Sequence, residues 1–141
     1  MIIQQLSVFL QNKTGRLTEL TRALSENNIN MTAFSIADTT DFGIVRFIVP
    51  QPGEAVKILK EKGFSVNTTD VVCLLVPNEP GGLYRALQVL SDNEVPVEYM
   101  YAFASDNGAS VVIRSLSCDR VIEVLQANQL QLMKASEIYK L

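Results

Sequence analysis

Asn78-Glu79-Pro80-Gly81-Gly82-Leu83 follows the apolar run Val71-Val72-Cys73-Leu74-Leu75-Val76 and precedes a helical pattern. The stretch therefore reads as a strand, a tight turn and a helix start. Glycine there lets the chain turn with positive φ and lets a backbone or ligand approach closely. The helix that follows offers free amide N–H groups and a positive dipole end, which suit a carboxylate or another anion. A strand–turn–helix corner is common by itself. Here it has an echo, because Asn12-Lys13-Thr14-Gly15-Arg16-Leu17 has the same N-x-x-G-x-L spacing in the same context. The two glycines stand 66 residues apart (81 − 15).

Working outward from the first turn, Ile2 to Leu10 alternates as a strand should, with Leu6, Val8 and Leu10 on one face and Gln5, Ser7 and Phe9 on the other. Leu17, Leu20 and Leu24 recur at helical spacing, and Asn27-Asn28 can end that helix. Asn30 to Asp38 predicts a second strand, Thr39-Thr40-Asp41-Phe42-Gly43 a turn, and Ile44 to Val49 a third strand. Glu54 to Lys62 predicts a helix burying Ala55, Val56, Ile58 and Leu59, and Gly63 is placed to stop it. Phe64 to Thr69 predicts a fourth strand. The order is β-α-β-β-α-β, a ferredoxin-like unit.

The order then repeats. At the same offset Leu17 falls on Leu83, Leu24 on Leu90, Asn27 on Asn93 and Ile29 on Val95. Ala55, Val56, Ile58 and Leu59 fall on Val121, Ile122, Val124 and Leu125. The hairpin turn returns as Ser105-Asp106-Asn107-Gly108. A fixed-period echo of this kind is the mark of duplication. The expected fold is α+β: two tandem units, 1–69 and 70–141, each an antiparallel sheet with both helices on one face. Ile44 to Val49 and Val71 to Val76 are apolar on both faces, and Tyr99, Tyr101 and Phe103 line up on one face. Such residues on the open face point to contact with the other half or a second chain, or to plain strand propensity.

Composition narrows the function. Of 141 residues, 48% are hydrophobic and 19% charged, so a core is available. A formal charge of −3 disfavours a surface built to neutralise phosphates, so nucleic acid is not an expected partner. No run of about 20 apolar residues suggests a membrane span. Met1-Ile2-Ile3-Gln4-Gln5 lacks a charged n-region, and a cytoplasmic protein is expected. There is no histidine, which removes histidine general bases and the Ser-His-Asp and Cys-His arrangements. Cys73 and Cys118 make no metal-spaced pair, so no metal or cofactor is expected. Cys73 reads as a core residue. Cys118, near a helix start, reads as inert for want of a partner base. Glu79, Glu98 and Asp106 stand in no spacing that implies a catalytic dyad. Thr40-Asp41-Phe42-Gly43-Ile44-Val45-Arg46-Phe47 has a passing likeness to the third-strand motif of RNA recognition modules. It lacks the leading basic residue, the first glycine and one stacking aromatic.

A duplicated βαββαβ unit with N-x-x-G-x-L at its first turn resembles a pair of ACT domains, the amino-acid-sensing modules of metabolic regulation. The resemblance rests on Asn12 to Leu17 with Asn28-Ile29-Asn30-Met31, and on Asn78 to Leu83 with Val95-Pro96-Val97. The family's turn is commonly N-x-P-G-x-L, which the second copy meets, while the first has Thr14 for proline. Ile29-Asn30-Met31 meets the family's second motif, where the second copy has Pro96 for the asparagine. The resemblance implies a free amino acid bound between two units, near the glycine turn of one. It implies ligand contacts from Asn12, Lys13, Thr14, Gly15, Arg16, Leu17, Asn30 and Met31 in the first half. In the second it implies Asn78, Glu79, Pro80, Gly81, Gly82 and Leu83. Turn N–H groups would receive the carboxylate, an asparagine offers donor and acceptor to a zwitterion, and Leu17 or Leu83 would wall the pocket. The plainer reading is that Asn12 and Asn78 only cap their turns. Because Pro96 lacks an amide side chain, the two sites are unequal and the first is favoured. The implied protein is a non-catalytic regulator, a homodimer acting on a metabolic enzyme or regulator. The alternative is a ligand-free scaffold of the same fold.

Overall fold

The alternation of Leu6, Val8 and Leu10 against Gln5, Ser7 and Phe9 becomes β1 (Ile3–Gln11) in the computed structural model, which describes residues 1–38, 41–105 and 108–140. The chain continues through α1 (Arg16–Glu26), β2 (Ala33–Asp38), β3 (Phe42–Ile48), α2 (Pro52–Glu61) and β4 (Ser65–Val76). It repeats the order with α3 (Gly82–Asp92), β5 (Tyr99–Ser105), β6 (Gly108–Arg114), α4 (Cys118–Ala127) and β7 (Gln131–Leu132), and ends with α5 (Ala135–Ile138). This is the tandem βαββαβ arrangement, α+β with antiparallel strands. The hairpin-turn residues Thr39, Thr40, Asp106 and Asn107 lie outside the described residues.

The chain divides into two units within β4, between Thr69 and Asp70. The N-terminal unit is Gln4–Thr69 joined by the chain end from Ile138, and the C-terminal unit is Asp70–Glu137 joined by Met1–Ile3. The sequence suggested two strands, ending at Thr69 and starting at Val71. They are one 12-residue strand, because Ser65 to Val76 holds no glycine or proline to break it.

In the N-terminal unit β3 lies between β1 and β2, antiparallel to both. Leu6, Val8 and Leu10 of β1 meet Val45 and Phe47 of β3 in one core, with Leu20 and Leu24 of α1 and Ala55 and Leu59 of α2. Burying one such leucine contributes about 1.5–3 kcal/mol. Three expected core members differ. Val56 and Ile58 are only partly buried at the core margin, and Leu17, in the first turn of α1, is 41% exposed. The second strand begins at Ala33 rather than Asn30. Thr32 already donates its N–H to the Ile48 carbonyl at 2.9 Å, while Asn30 and Met31 precede the ladder.

The C-terminal unit repeats the plan, with β6 between β4 and β5 and with β7 also paired to β4. Val72, Leu74 and Val76 pack with Val111 and Ile113 against Ala86, Leu90, Val121 and Leu125. On the other face Cys73, Ser110 and Val112 are buried too. Met133 covers part of that face, with its sulfur 3.6 Å from both Cys73 Sγ and Ser110 Oγ.

Both corners use the same backbone. Gly15 (φ +95) and Gly81 (φ +87) adopt the left-handed conformation and start α1 and α3 directly. Lys13 N–H bonds to the Gln11 carbonyl, Arg16 N–H to Lys13 and Glu19 N–H to Gly15. Their counterparts Glu79, Gly82 and Arg85 bond to Pro77, Glu79 and Gly81. A β-carbon on Gly82 would lie 2.2 Å from the Pro77 carbonyl oxygen, whereas one on Gly15 would meet nothing within 4 Å. Gly15→Ala is expected to cost about 1–2 kcal/mol from left-handed strain. Gly82→Ala is expected to cost more, because the turn itself must move. Urea unfolding of the two variants against the parent checks the ranking.

Candidate functional site

The register of β1, β3 and β2 fixes what surrounds the first turn. Leu10 stands opposite Gly43, which stands opposite Asp38, and Val45 stands opposite Ile36. Leu10 and Val45 belong to the helix-side core, so Ile36 and Asp38 share that face of β2. A cavity of about 190 Å³ opens there beside the turn. Gln11, Asn12, Lys13 and Asp38 give it polar groups, and Leu10, Leu17, Ile36 and Val45 give it apolar ones. Gly43 lines it without filling it. The volume is below the roughly 300 Å³ where pockets for drug-sized molecules begin, and is on the scale of one small metabolite.

The first-half residues implied as ligand contacts are divided. Asn12, Lys13 and Leu17 line this cavity, and Thr14 and Gly15 form the turn beside it. Arg16 lines a different, open cavity with Phe9, Gln11, Phe42, Gly63 and Ser65. Its guanidinium pairs with Glu19 at 2.5 Å and lies over the Phe64 ring at 5.5 Å. Asn30 and Met31 line a third cavity, of about 470 Å³, with Thr21, Ser25, Asn28 and Phe34. Within the unit, then, Asn12 and Asn30 do not face one pocket. Part of the turn's amide set is already engaged. The N–H groups of Asn12, Lys13 and Arg16 already bond to the carbonyls of Asp41, Gln11 and Lys13. Asp38 was not among the residues singled out. Its signal was available only through strand register, since nothing in the local sequence marks it.

At the second turn the Glu79 carboxylate pairs with Arg85 at 3.0 Å, and both side chains are exposed. Pro80 and Gly81 carry the chain into α3, and Leu83 packs against the core of that unit. Of the other carboxylates considered, Glu98 pairs with Arg114 at 3.6 Å and Asp106 lies outside the described residues. Among the described residues no cluster of three or more His, Cys, Asp or Glu could hold a metal. No helix among them is long and apolar enough to cross a membrane.

A family model for an ACT domain pair matches residues 1–141. The chain belongs to the ACT domain pair family. A solved structure of a protein from Bacteroides thetaiotaomicron is 51% identical, with a TM-score of 0.96 over 100% of this chain and 98% of that one. The ligand-free regulatory subunit of aspartate kinase from Thermus thermophilus matches at a TM-score of 0.64 with 15% identity, over 88% and 91% of the two chains. Its counterpart from Thermus flavus matches at 0.62 with 13% identity, over 90% and 94%. At that identity the likeness is one of fold. No curated protein matches the sequence. The ACT pair therefore has two copies of the corner, and cavity, turn bonds and register place the first in detail.

The two thiols of this ACT pair are free and buried. Burial pushes the Cys73 thiol from 9.0 to about 12. Burial also raises Cys118, whose Sγ donates to the Asp70 carbonyl at 3.3 Å. A folded-state pKa above the unfolded value means stability that is fully present below about pH 9 and is lost as pH rises toward 12. Between pH 8 and pH 10 Cys73 is expected to cost the protein about 1 kcal/mol of stability. Denaturant titrations at the two pH values should show a smaller loss in Cys73→Ala.

Proposed function

We propose that this ACT pair, divided between Thr69 and Asp70, is a non-catalytic cytoplasmic regulator that binds a free amino acid. The cavity at Asn12, Lys13 and Leu17 carries the proposal, since it combines metabolite size, amide and charged groups, and apolar walls at the family's glycine turn. The ligand sits where this unit meets another ACT unit, and Asn30 and Met31 belong to the ligand's other flank. Exposed Phe34 and Ile36 on the edge strand β2 favour assembly as a homodimer. A ligand touching both sides of an assembly stabilises it by mass action. The signal passes to a metabolic enzyme or regulator, or through the protein's own association.

A thermal-shift screen of the twenty amino acids tests this. A ligand at about 100 times its dissociation constant adds roughly 2.7 kcal/mol, a shift of several degrees. Asn12→Ala and Asn30→Ala should each reduce it. Gly43→Val should abolish it while the protein still folds, because a β-carbon there has its nearest neighbours at 3.9 Å and fills the cavity. If no amino acid shifts the melt of the folded protein, the pair is a scaffold that keeps the fold without the ligand.

A further inference from the structure

The cavity beside the first turn holds one charge of each sign. Lys13 and Asp38 both line it, yet their charged groups are not within 4.0 Å of each other. Among the described residues neither has an ion-pair or side-chain hydrogen-bond partner. By contrast Arg16, Arg85, Arg114 and Arg120 are each paired with a glutamate. The amides of Asn12, Lys13 and Arg16 are engaged within the fold, so a carboxylate here draws on the first-turn amides of α1 and on a side-chain cation. The Lys13 ammonium is the cation left at this cavity, and Asp38 supplies its anion. Between them Leu17 and Ile36 stay 41% and 50% exposed, apolar surface left for an occupant to cover.

The C-terminal unit supplies an internal control. Val76 stands opposite Ala109 and Ala104 opposite the same Ala109, which matches Leu10, Gly43 and Asp38 position for position. There Glu79 replaces Lys13, Ala104 replaces Asp38 and Ala102 replaces Ile36. Both charges of the pair and one apolar wall are gone, and the Glu79 that stands for Lys13 is held by Arg85.

Resting on the reading above, we propose that the ligand is an α-amino acid with an uncharged aliphatic side chain, bound at the first-turn cavity and not at the second turn. Its carboxylate meets Lys13, its ammonium meets Asp38, and its side chain covers Leu17 and Ile36. Asp38 is thus the residue that selects for the amino group. A cavity of about 190 Å³ with one charge of each sign has no second cation or anion for an ionised side chain.

Calorimetry of the full chain with valine, leucine, isoleucine and methionine tests this, with lysine and glutamate as comparators. The expected result is binding of at least one aliphatic probe at one site per chain, and no binding of lysine or glutamate. For leucine, the two analogues are 4-methylpentanoate, which lacks the ammonium, and leucinamide, which lacks the carboxylate. Asp38→Asn should weaken leucine about tenfold and leave 4-methylpentanoate unchanged, and Lys13→Gln should do the same for leucine against leucinamide. Both positions are exposed, so the unliganded variants should melt with the parent. Aliphatic binding untouched by either variant, two equivalent sites, or preference for lysine or glutamate overturns the proposal and leaves amino-acid sensing standing. Absence of binding by all twenty amino acids overturns both.

Discussion

Gly15 and Gly81, held at φ +95 and +87, are the constraint on which each unit depends. A left-handed residue at the helix start sets the angle of these two corners, and glycine adopts that conformation without steric cost. The turn settles which face of α1 meets the sheet, and so settles that Leu20 and Leu24 enter the core while Leu17 stays at its margin. It also engages three amide groups in hydrogen bonds, those of Lys13, Arg16 and Glu19, repeated at the second corner. With the same backbone at both corners, what distinguishes them for a ligand is their side chains.

The duplicated backbone separates what packing demands from what it leaves free. Core positions stay apolar in both copies: Leu10 and Val76, Leu24 and Leu90, Val45 and Val111. Close packing tolerates little change in volume or polarity there. Around the turn the side chains diverge, Lys13 against Glu79, Asp38 against Ala104 and Asn30 against Pro96. Those positions are exposed in the N-terminal unit, so substitution costs the fold little and chemistry can differ between copies. The same scaffold can thus hold a charged cavity in one unit and an exposed Glu79–Arg85 pair in the other.

Hydrophobic period, glycine placement and the 66-residue echo made the elements, their order and the duplication legible without coordinates. They did so because strand and helix periods are local properties of the chain. The resemblance to ACT domains rested on motifs equally local. The misreadings fall where local pattern yields to pairing. Asn30 and Met31 look like strand residues but precede the ladder, and β4 runs unbroken through the place where two strands were expected.

The candidate site was half legible. Asn12, Lys13 and Leu17 are contiguous with the turn and could be named from it. Asp38 and Ile36 come from a strand about twenty residues further on, and enter only because β2 pairs with β3 in one register. A slip of one residue would send both to the opposite face. Asn30, by contrast, shares the motif yet lines another cavity, at the other end of α1. The sequence by itself determined the elements, the repeat and the glycine corners, since each depends on neighbours along the chain. Tertiary structure alone decided which charges share a cavity, because strand register brings together residues that no sequence period links.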